Sequence, residues 1–100
     1  MGIGQALSEG TQLDADGRQI NAHLLDYKLV TASDAPEIDI VWVEIPTPNA
    51  GPNGSKGIGE PPSVPTSGAV GNAIAAVIGK HVKQLPMSPG RVWATLNEEA

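Results

Sequence analysis

The stretch VPTSGAVGNAIAAVIGK, residues 64–80, carries the clearest periodicity in the sequence. Val70, Ala73, Ile74, Val77, Ile78, His81 and Val82 recur at i, i+3, i+4, i+7, i+8, i+11 and i+12, the spacing that lines one face of an α-helix. The spacing predicts a helix over 64–80. Pro65 is compatible with its first turn, where the N–H groups have no helical partner. Gly68, Gly71, Ala75 and Gly79 form a second stripe made only of small residues. Each glycine costs a helix about 1 kcal/mol relative to alanine, so this stripe predicts that another backbone comes close.

Immediately upstream, residues 46–65 hold four glycines and six prolines and are expected to form a long loop. Connections usually run about 4–6 residues, and long structureless ones are functional or disordered. Before the loop, residues 38–45 alternate, with Ile38, Ile40, Trp42 and Glu44 on one face and Asp39, Val41, Val43 and Ile45 on the other. Both faces are largely apolar, which predicts a strand covered on both sides. Asp14-Ala15-Asp16-Gly17 lies between residues 11–13 and 18–21, and its Asp-Gly supplies the positive φ of a tight hairpin. Residues 2–8 read as a helical piece carrying Ile3, Ala6 and Leu7, with Gly10 as its stop. Ser88-Pro89 predicts the start of a final short helix with Val92, Trp93 and Leu96, and residues 97–100 read as a polar tail. Together these elements predict an α+β fold: a hairpin or short sheet with two to three helices, in a single domain over 1–100.

Composition narrows the function. Six Lys and Arg against eleven Asp and Glu give a net charge of −5. With no basic run, a nucleic-acid partner bound through phosphates is excluded. The absence of cysteine rules out disulfides, thiolate metal sites and a cysteine nucleophile. The N-terminus lacks the basic and apolar regions of a secretory signal. The most apolar stretch, residues 69–79, is shorter than the ~20 residues that span a bilayer. A soluble, cytoplasmic chain with no membrane partner is the expectation. Tyr27, Trp42 and Trp93 are the only aromatics, and the two tryptophans are expected to anchor the core. So thin a core, behind a first helix with no cap before it, predicts that the chain is one piece of a larger unit.

Most of the chemistry gathers in the loop. The glycines around GSKGIGEPP, residues 54–62, let backbone N–H groups approach an anionic or oxo-bearing ligand. Neither GxxxxGK[ST] nor GxGxxG is satisfied, so a nucleotide-binding loop is a poor reading. Glu60, held between Gly59 and Pro61, has an aimed carboxylate. Enclosure in an apolar pocket raises a carboxylate toward the range of a general base. The plainer alternative is an acid favourable to the following helix dipole. Lys56 is a second charge that offsets Glu60 or an anionic cofactor, or a solvated loop lysine. His23 and His81 stand alone, without the spacing of a zinc site. Ser55, Ser63 and Ser67 lack the GxSxG context of a hydrolase nucleophile.

Taken in order, GIGQAL-x-EG, the DADG turn, LLDYKLVTASDAP, PTPNAGPNGSKGIGEPP, NAIAAVIG and LPMSPGRVW cover nearly the whole chain. This series resembles the C-terminal part of the molybdopterin-binding large subunit of the xanthine dehydrogenase/aldehyde oxidase family of molybdenum hydroxylases. The resemblance implies that Glu60 is the base beside molybdenum. It would take a proton from a molybdenum-bound hydroxyl, whose oxygen attacks an electron-poor carbon of an aldehyde or N-heterocycle. Gly57, Ile58 and Gly59 would lie against the molybdenum cofactor, making residues 46–65 an active-site loop. The resemblance further implies that the cofactor site is completed by the remainder of the molybdenum-binding subunit. Electrons would leave through Fe–S and FAD groups in partner subunits or domains. The upstream cofactor-holding loops have no counterpart in this sequence, so the isolated chain is expected to be inactive. A family remnant serving as a small structural or interaction domain is the alternative.

Overall fold

Helix α2, Thr66–Ile78, forms where the 3.6-residue pattern places it, two residues shorter at each end than the expected 64–80. A computed structural model describes residues 1–98. A 3₁₀ turn over Pro61–Ser63 precedes α2, and Pro65 sits at its N-cap. Its end is set by Gly79, whose φ of +74° is the left-handed conformation that closes helices. The Gly79 N–H donates to the Ala75 carbonyl at 2.8 Å.

The inner face of α2 lies between the two predicted stripes. Val70, Gly71, Ile74, Ala75 and Ile78 are half-buried, whereas Ala73 and Val77 of the apolar stripe and Gly68 of the small one are exposed. What packs on α2 is slight: α1, Gly2–Leu7, and Met87. The closest backbone approach is made by α1's own glycine. A Cβ on Gly2 would stand 2.6 Å from the Thr66 Cβ and Oγ1, so any larger residue there must displace Thr66. Helix α1 ends at Leu7 because the Ser8 and Glu9 N–H groups both donate to the Gly4 carbonyl, not because of a left-handed Gly10.

Around this junction sits the core. Ala6 is fully buried and Met87 nearly so, with the Met87 N–H on the Ala6 carbonyl at 2.7 Å. Asn21 is the buried polar residue, and both ends of its amide are used. Its Nδ2 donates to the Gly10 carbonyl at 2.7 Å and its Oδ1 accepts the Gln12 N–H at 2.8 Å. Helix α3, Pro89–Asn97, starts at Ser88 as expected. Lys80 reaches across to its far end, donating from Nζ to the Glu98 carbonyl at 2.7 Å, a favourable cation at a helix C-terminus. The last two residues of the expected polar tail lie outside the described residues.

The expected sheet does not appear among the described residues. The Asp-Gly turn forms, with Gly17 at φ +80° and the Asp14 Oδ1 accepting the Asp16 and Arg18 N–H groups. It closes a single antiparallel bridge, Leu13 with Gln19, and goes no further, because Asn21 ties the chain to Gly10 instead. Residues 38–45 form neither helix nor strand and pair with no other segment among the described residues. Nor do the tryptophans anchor the core: Trp42 and Trp93 are both more than half exposed. An isoleucine or valine left in water forgoes about 1.5–3 kcal/mol of burial, and most of the large apolar residues here do so. The chain exposes 8235 Å², where a folded monomer of its mass exposes about 5,400 Å². Its radius of gyration is 17.9 Å, against about 13 Å for a compact 100-residue domain.

Candidate functional site

The loop after residue 45 has two halves, distinguished by what their glycines do. In the first half the chain closes on itself: the Thr47 N–H donates to the Gly54 carbonyl, and the Ala50 N–H to the Thr47 carbonyl. Gly51 and Gly54 have φ of +72° and +64°, and a Cβ on Gly54 would stand 3.1 Å from the Thr47 carbonyl. These two are glycines because the backbone requires it. Gly57 and Gly59, in the second half, are different. Neither has a positive φ, and a Cβ built on either meets nothing within 4 Å. Among the described residues, nothing explains why these positions carry no side chain.

Glu60 follows directly. Its backbone is in the right-handed α region at φ −79° and ψ −22°, a region that residues preceding proline usually avoid. Ser63 holds it there twice, with its N–H and its hydroxyl both 2.8 Å from the Glu60 carbonyl. Ser63 thereby fixes the residue from which the carboxylate extends. Sequence reading weighed Ser63 only as a nucleophile, although a hydroxyl three residues after Glu60 is the usual signature of such a local cap.

The carboxylate itself is exposed, as are Ser55, Lys56, Gly57, Ile58 and Gly59. The enclosure expected around Glu60 is therefore not built by this chain. A groove of about 960 Å³ runs between residues 38–46 and residues 53–58, with Trp42, Lys56, Gly57 and Ile58 in its lining. Gly59 and Glu60 are outside that lining. His23 and His81 are exposed and apart from this region, and no three His, Asp or Glu side chains gather in metal-binding geometry among the described residues. No described helix is long and apolar enough to cross a membrane. What the loop offers is an exposed carboxylate directly after Gly59, on a residue whose backbone carbonyl is held by Ser63.

No protein-family model matches the chain. It nonetheless has relatives along nearly its whole length. It is 39% identical over 94 residues to the xanthine dehydrogenase molybdenum-binding subunit of Escherichia coli O157:H7, a match covering 93% of this chain and 12% of that protein. It is 35% identical over 96 residues to the aldehyde oxidoreductase of Megalodesulfovibrio gigas, covering 95% of this chain and 10% of that one. Among solved structures, quinoline 2-oxidoreductase from Pseudomonas putida 86 superposes with a TM-score of 0.84 at 31% identity, over 99% of this chain and 13% of that chain. The chain thus spans about an eighth of the length of the relatives it matches.

Proposed function

We propose that this chain, a homologue of the molybdenum-binding large subunits of the xanthine dehydrogenase/aldehyde oxidase family, supplies Glu60 as the general base of a molybdenum hydroxylase. The observation that carries the reading is the pair Gly57 and Gly59. Neither their φ angles nor any described atom of the chain calls for glycine, which supports an approaching group from outside the chain. An open glycine backbone followed at once by a carboxylate fits a bulky cofactor on one side and a proton to be removed on the other.

In this reading Gly57, Ile58 and Gly59 lie against the molybdenum cofactor, and residues 46–65 are the active-site loop. When bound, the cofactor supplies the activated oxygen nucleophile and accepts the electron pair removed from the substrate. Glu60 accepts the nucleophile's proton on its carboxylate, which is general-base catalysis at a fixed position. Ser63 keeps that position through the Glu60 carbonyl. The rest of the large subunit encloses the carboxylate and excludes water. Xanthine, aldehyde and quinoline figure in relatives' names, alongside carbon monoxide, and support an aldehyde or an N-heterocycle as the substrate class. Fe–S and flavin groups in partner subunits or domains would take up the electrons. The catalytic unit is therefore the assembled subunit rather than this chain alone.

The test is a chimera in which this chain replaces the matching segment of the E. coli relative. Glu60→Gln should lower turnover by about 10²–10⁴-fold while molybdenum content stays unchanged. Turnover equal to that of the unsubstituted chimera would remove Glu60 from the chemistry and leave the chain a structural element.

A further inference from the structure

We infer that residues 38–45 are an internal strand of a sheet whose flanking strands and covering layers come from the rest of the large subunit. The inference rests on the proposed reading for the identity of that partner and on the structure for everything else. Among the described residues, the backbone groups of residues 38–45 make one hydrogen bond, from the Ile45 N–H to the Val43 carbonyl. Both edges of the segment are thus unpaired. Both faces are largely apolar as well: Ile40 and Trp42 with Glu44 at the end of one, Val41 and Val43 with Asp39 at the start of the other, the four apolar residues 63 to 85% exposed. Alternation with two apolar faces is the pattern of a strand buried inside a sheet with layers on both sides. Pro36 and Pro46 bracket the segment and none lies within it, so no ladder position lacks its N–H.

The choice of occupant follows from area. The chain exposes 8235 Å², roughly 2,900 Å² above the folded norm for its mass. A standard interface takes only about 800 Å² from each partner. A second copy pairing along one edge would leave the other edge and the covering layers missing. A large subunit, of which this chain spans an eighth, supplies strands and layers together. The placement matters for the site because the strand forms one wall of the groove whose other wall carries Gly57 and Ile58. Seating the strand in a sheet therefore anchors the loop that carries Glu60.

Amide hydrogen exchange tests this in the chimera and in the chain alone. In the chain alone, the amides of residues 39–44 should exchange as in an unstructured peptide. In the chimera they should slow by about 10²-fold or more, at odd and even positions alike, because an internal strand is paired on both edges. Protection at alternate positions only, or none, overturns the inference. Protection that rises with concentration in the isolated chain makes the occupant a second copy, and overturns it too. Where the chimera does not assemble, the same measurement on the native E. coli subunit, over the stretch aligned with residues 38–45, decides. The two readings fail separately. Protected amides with turnover indifferent to Glu60→Gln remove the base alone, and exposed amides with turnover that depends on Glu60 remove the strand alone.

Discussion

The helical corner and the stretch from residue 22 to residue 60 obey different rules. In the corner, α1, α2 and Met87 satisfy one another: Ala6 is buried, its carbonyl takes the Met87 N–H, and Asn21 uses both ends of its amide. Across residues 22–60, polar groups bond locally in turns and no residue is fully buried. The corner is stabilised by what this chain contains. The stretch from residue 22 to residue 60 leaves most of its large apolar side chains exposed, and the candidate site stands at its end.

That contrast can be broken most strongly by truncating one side chain in each region. Met87→Ala should cost the corner about 2–5 kcal/mol, read as earlier loss of the helical circular dichroism signal in urea. Ile40→Ala should cost the isolated chain less than about 0.5 kcal/mol. A large Ile40→Ala effect there would mean that this stretch has a core of its own. Next come Asn21→Ala and Gly2→Ala. Asn21→Ala leaves the Gly10 carbonyl and Gln12 N–H without partners, a loss of about 1–3 kcal/mol. Gly2→Ala pushes a methyl into Thr66, at a cost of roughly 1–3 kcal/mol. Both should lower the urea midpoint of the helical signal. The smallest effect belongs to the Thr31–Asp34 turn. The Thr31 hydroxyl and N–H both donate to the Asp34 carboxylate and hold its carboxyl below its ordinary value. With a lowered carboxyl, the turn's bonds are intact above the ordinary carboxylate range and are lost only as pH falls through the lowered value. The Thr31 amide shift in an NMR acid titration should therefore move below that ordinary range, and Asp34→Asn should abolish the movement.

The same contrast explains what could be read from the residues. Helix α2 was legible because its spacing and Gly79 are local signals, and the Asp14–Gly17 turn was legible because Gly17 must take a positive φ. Residues 38–45 carry the alternation of a strand, but pairing depends on neighbours, and none lies beside them among the described residues. Trp42 and Trp93 were misjudged for the same reason, since an aromatic side chain can be made for burial by another segment. Met87 and Asn21 gave no periodic signal, because their importance comes from bonds to distant carbonyls and amides. At the candidate site, Gly57, Gly59 and Glu60 were identifiable as a motif. The structure adds that Ser63 holds the Glu60 carbonyl and that no described residue accounts for the two glycines.

The most direct measurement of that last point is Gly59→Ala in the chimera, with molybdenum content and fold assayed together. Because a Cβ there meets nothing in this chain, the fold should survive, while crowding of a cofactor should cut bound molybdenum by about tenfold. Full molybdenum content together with full turnover would contradict the account, because the glycine would then face nothing at all.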